Sequence, residues 1–73
     1  MTPTAKELLS AVEEVIGTER RALTFSRIAE GAQLEPADVP RLLLQAARET
    51  GAAIDFRYPP LPEGAVIAVH RRA

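Results

Sequence analysis

Apolar residues recur near the start of the chain at Leu8, Leu9, Val12, Val15 and Ile16, the three- and four-residue spacing of a helix that buries one face. Lys6, Glu13 and Glu14 fall on the opposite side. Thr4 stands three residues before Glu7, the spacing of a capping box in which hydroxyl and carboxylate each accept from the other residue's amide. Gly17 can take the left-handed conformation that ends a helix, so a first helix is predicted over residues 4–16. A polar connection, Thr18-Glu19-Arg20-Arg21, leads into the short β-prone run Ala22-Leu23-Thr24-Phe25. Ser26 is a good cap for a second helix over residues 26–32, with Ile28 and Ala29 inward and Gly31 or Gln33 at its end.

The third apolar series, Val39, Leu42, Leu43, Ala46 and Ala47, again has helical spacing and predicts a helix over residues 36–50, stopped by Gly51. Pro36 suits its first position, where a missing amide costs little. Pro40 sits badly in a helix begun that early, because it removes one hydrogen bond and crowds the Pro36 carbonyl. Either the helix starts later with Asp38 as its cap, or its first turn is distorted; the sequence leaves both open. The period then changes to two. Residues 53–58 and 65–70 alternate as a β-hairpin joined by Pro59-Pro60-Leu61-Pro62-Glu63-Gly64. Pairing Tyr58 with Ala65, Phe56 with Ile67 and Ile54 with Val69 puts the larger apolar groups on one face and Asp55, Arg57, Val66 and Ala68 on the other, so alternation and pairing agree.

At 73 residues, the chain is expected to form a single domain (1–73) close to the lower limit for folding without staples. There is no cysteine, which excludes disulfides and thiolate metal sites. Phe25, Phe56 and Tyr58 are the only aromatics, so aliphatic packing must carry the core. No apolar run reaches the length of a membrane span, and cytoplasmic placement is expected. Nothing suggests catalysis: Ser26 has no nearby base, the acids are scattered and the glycines are isolated. The lone His70 has no Cys or second His to complete a metal site. No enzyme activity, cofactor, metal or small-molecule substrate is therefore expected.

The order helix, short strand, helix, turn, helix and hairpin resembles a winged helix domain, an α+β fold of the helix-turn-helix class. The resemblance is carried by Leu23-Thr24-Phe25-Ser26-Arg27-Ile28-Ala29, where a short strand runs into a capped second helix. It continues through Leu34-Glu35-Pro36-Ala37-Asp38-Val39, which looks like the turn and opening of a recognition helix. What the resemblance implies is binding of double-stranded DNA, with the third helix in the major groove and the hairpin loop as the wing. Carried over by position, Ala37, Asp38, Arg41, Gln45 and Arg48 would face outward. Arg41 and Gln45 have the groups to read guanine and adenine edges. Ser26 and Arg27 would lie beside a phosphate, and Arg48 and Arg57 would contact the backbone. A transcriptional regulator acting as a dimer is the reading this implies.

Charge supports an alternative. The net charge is −1, whereas nucleic-acid binding draws on a basic surplus. Glu35 and Asp38 stand where the third helix would approach phosphate, and the wing carries an acid and no base. Leu42-Leu43-Leu44 cannot all be buried by one helix face, so Leu44 is expected at the surface, and Leu61 in the loop is a second exposed apolar residue. These features fit a winged helix module that binds protein, as a homodimer or complex subunit, through Leu44 and Leu61.

Overall fold

The computed structural model describes residues 3–57 and 64–71. In chain order these form α1 (Ala5–Glu19), β1 (Leu23–Thr24), α2 (Phe25–Ala32), α3 (Asp38–Thr50), β2 (Ala53–Arg57) and β3 (Ala65–His70). The architecture is α+β, with three helices packed around a three-stranded antiparallel sheet of order β1-β3-β2. Among the described residues no helix is long and apolar enough to cross a membrane.

α1 starts where the capping box predicts. The Glu7 amide donates to Thr4 Oγ1 at 3.2 Å, and the Thr4 amide donates to Glu7 Oε1 at 2.8 Å. Its end differs from expectation: the helix runs through Gly17 and stops at Arg20, which is left-handed at φ 56°. The Arg20 amide donates to the Ile16 carbonyl at 2.7 Å. The extra turn keeps Val15 and Ile16 packed on the core, and that packing outweighs the modest helix-breaking tendency of one glycine.

α2 is capped by Thr24 instead of Ser26; Thr24 Oγ1 accepts from the Arg27 amide at 3.2 Å. Thr24 is thus both the last residue of β1 and the cap of α2, which makes the strand-to-helix turn immediate. The helix passes through Gly31 and ends at Gln33, left-handed at φ 59°. Leu34 then donates its amide to the Ala29 carbonyl at 2.9 Å and packs its side chain on the core, a Schellman-type close.

α3 begins at Asp38, later than residue 36, and Ala37 rather than Asp38 is its N-cap, with no side-chain capping bond. Pro36 therefore lies in the preceding turn, where the Asp38 amide donates to the Glu35 carbonyl at 2.9 Å. This start removes the difficulty with Pro40. As the third helical residue it occupies the first turn, where backbone amides have no intrahelical acceptor to lose.

The hairpin register is half as expected. Ile54 pairs with Val69, but Phe56 pairs with Val66 and Arg57 with Ala65. Ile67 does not face Phe56, and Ala65 is not opposite Tyr58, which lies outside the described residues. The shift falls between Asp55 and Phe56 and leaves Ile67 as the extra residue of a β-bulge. Side chains before and after a bulge exchange faces. Val66 is consequently fully buried instead of facing outward, and Ile67 is 45% exposed. The driving force lies across the sheet: β3 is the central strand, and Val66 also pairs with Leu23 of β1, so the bulge turns Val66 into the core.

That core is aliphatic. Leu9, Val39, Leu43 and Val66 are its largest fully enclosed side chains, surrounded by Leu8, Val12, Leu23, Phe25, Ile28 and Ala46. Phe25 meets Phe56 edge-on, with ring centroids 5.8 Å apart. Gly64 supports this packing. A Cβ there would lie 2.5 Å from a Phe25 ring carbon and 2.9 Å from the Arg57 carbonyl oxygen. Its own carbonyl accepts from the Phe25 amide at 3.0 Å.

Candidate nucleic-acid interface

α3 has one face in the core, through Val39, Leu43 and Ala46, and presents Arg41, Gln45 and Arg48 to solvent. Their spacing of four and three residues stacks them in one row along the helix. With Glu49 they border a shallow depression of about 360 Å³. Arg41 and Gln45, expected to read bases, and Arg48, expected to contact the backbone, are thus brought together on one helix face.

Their electrostatics are less simple than a bare basic row. Arg41 Nη2 donates to Asp38 Oδ1 at 2.5 Å, with side-chain exposures of 76% and 39%. Gln45 Nε2 donates to Glu49 Oε2 at 3.4 Å, a long and weak bond. Arg48 makes no ion pair with the described residues and is the free cation of the row. Both acids were visible in sequence at three- and four-residue spacing from their partners, a legible helical pairing signal.

The other expected phosphate contacts are more dispersed. Ser26 is half-buried in the first turn of α2. Arg27 is engaged: Nη1 and Nη2 donate to Glu19 Oε1 and Oε2, each at 2.8 Å. Arg21 adds a 3.3 Å contact to the same carboxylate. The Arg27 hydrogen bonds, reinforced by Arg21 and opposed by partial desolvation, hold the Glu19 carboxyl below its ordinary value. Arg57 is exposed on β2. At the end of β3, Arg71 grips Glu13 of α1 through both carboxylate oxygens, which raises the Arg71 pKa. His70 Nε2 lies 2.9 Å from Asp55 Oδ2 on the neighbouring strand.

Of the two expected apolar contact residues, Leu44 is 43% exposed, and Leu61 lies outside the described residues. Two surface features escape a reading of the sequence. One is Ile67, exposed only because of the bulge. The other is a groove of about 480 Å³ between α1 and α2, lined mainly by Leu8, Ala11, Val12, Val15, Leu23 and Ile28, with Glu19 and Arg27 at its rim. No linear pattern marks it, since helix-helix geometry sets its width. No protein-family model, curated protein or solved structure matches the chain.

Proposed function

We propose that this chain is a winged helix DNA-binding protein, acting in transcription regulation, with α3 as its recognition helix. The observation that carries this reading is the solvent-facing row Arg41, Gln45 and Arg48 on a helix whose other face is anchored in the core. A row of donors about two helical turns long suits a major groove, which admits a helix and offers acceptors on guanine and adenine. Arg48, unpaired among the described residues, and exposed Arg57 supply the charge for phosphate.

The test is fluorescence anisotropy of labelled duplex over a salt series. Affinity is expected to fall with salt, and Arg48→Ala to make the log-log slope shallower by about 0.9, the value for one phosphate contact. Arg41→Ala should weaken the preferred duplex by roughly tenfold or more. Absence of duplex binding at low salt overturns the proposal.

A second reading, a module that binds protein instead of DNA, is favoured by the apolar groove between α1 and α2 together with exposed Leu44 and Ile67. It predicts association without DNA. Sedimentation that gives only the monomer mass, combined with salt-sensitive duplex binding, decides for the first reading.

A further inference from the structure

The Asp38–Arg41 pair lies on the first turn of α3, where an acid and an i,i+3 ion pair each favour the helix modestly but hold no other element of the fold. Asp38 does not cap α3, since Ala37 occupies the N-cap and no side-chain capping bond is present. Both side chains reach solvent, at 39% and 76% exposure, so neither charge satisfies a buried partner. The carboxylate instead holds one terminal nitrogen of Arg41 at 2.5 Å, on the first turn of the helix that carries Gln45 and Arg48.

Two consequences follow from charge and donor count. The pair is neutral overall, so it releases no counterion on meeting a phosphate, and Asp38 repels that phosphate at short range. Arg41 nevertheless keeps unused N–H groups, since a guanidinium has five and this contact uses one. A neutral edge with acceptors is therefore favoured over a charged one. Asp38 keeps a second oxygen, Oδ2, as an acceptor. In the major groove a G·C pair offers guanine O6 and N7 as acceptors beside the cytosine N4 amino donor, the complement of a donor fork beside a carboxylate.

We propose that Asp38 and Arg41 act as one donor–acceptor unit that reads a G·C pair, Arg41 donating to guanine and Asp38 accepting from cytosine while it withholds Arg41 from phosphate. This rests on the DNA-binding reading of α3 and adds a sequence class to it. Asp38 thereby trades non-specific affinity for discrimination, which gives its placement at the approaching end of the helix a purpose.

The experiment uses the full chain with a pool of duplexes carrying a randomised core, followed by anisotropy salt series on the enriched duplex and on its G·C-to-A·T replacements. The wild type is expected to enrich a G·C pair whose replacement lowers affinity roughly tenfold. Asp38→Asn, which keeps the size of an exposed side chain, should bind the replaced duplex more tightly. Its salt slope should be steeper by about 0.9, as Arg41 gains a phosphate, and its discrimination should shrink. Asp38→Glu should restore both. Three results overturn the inference: duplex binding with no G·C position enriched, an Asp38→Asn variant with unchanged slope and discrimination, or a variant that only melts at lower temperature. If the wild type binds no duplex at low salt, the DNA reading itself falls, which separates the two failures.

Discussion

Glycine at two positions has opposite consequences, and the difference is a matter of local space. At Gly17, inside α1, an added Cβ meets nothing within 4 Å, so alanine gains helix propensity without a clash. Gly17→Ala is expected to stabilise the protein by about 0.5–1 kcal/mol. At Gly64 the same methyl would overlap the Phe25 ring and the Arg57 carbonyl. Backbone cannot yield as a flexible side chain can, so Gly64→Ala is expected to cost about 1–3 kcal/mol. Urea denaturation of both variants checks the pair. Equal effects of the same sign would mean that Gly64 does not make the close approach described. Arg20 and Gln33 show the converse: both are left-handed, at helix ends where glycine is the usual choice.

The bulge in β3 decides which strand residues matter for stability. Val66 is enclosed between Leu23 and Phe56, the residues it pairs with on either side, and has no exposed surface. Removing two of its carbons should cost about 2 kcal/mol, at about 0.8 per buried methylene-sized group. Ile67 is almost half exposed, and Ile67→Ala should cost less than about 1 kcal/mol. A regular hairpin with Phe56 opposite Ile67 would reverse this ranking, so melting of Val66→Ala against Ile67→Ala tests the register directly. At the same scale, the late start of α3 lets Pro40 enter a helix at little energetic cost. Thr24 ends the short β1 and caps α2, so the chain passes from strand to helix with no intervening loop.

Ion pairs tie distant parts of the molecule together at its surface. Arg71 of the C-terminal end reaches Glu13 of α1, 58 residues away, and Arg27 of α2 clasps Glu19 at the end of α1. For Glu19 the sign of the pH effect can be worked out. Its carboxyl is held below the ordinary 4.5 by the Arg27 hydrogen bonds foremost. A depressed folded value means stability present above the unfolded value and lost as pH falls through the folded one. The melting-temperature gap between wild type and Glu19→Gln is thus expected at pH 6 and should close as the pH drops from about 4.5 downward. A gap constant into acid would show that ionisation of Glu19 is not linked to folding. The clasp also bears on the DNA binding we propose: Arg27 would have to leave Glu19 or share it to reach a phosphate, so that proposal rests on α3 and Arg57 more than on Arg27.

Much of this was legible along the chain, because helices and their caps are local. The capping box of Thr4 and Glu7, the apolar spacing of α1 and α3, and the outward row Arg41, Gln45 and Arg48 depend on residues three or four apart. The sequence by itself determined the order of elements, the α+β class and the face of α3 that meets solvent. It misplaced helix ends at Gly17 and Ser26, where cap preferences are weaker than the core contacts of Val15, Ile16 and Phe25. Tertiary structure alone decided the bulge at Ile67, the pairing of β1 with β3, the close approach at Gly64 and the groove between α1 and α2. Each of these depends on groups far apart in sequence meeting in one small core. There the choice between facing in and facing out is made by the volume left to fill, which no local pattern encodes.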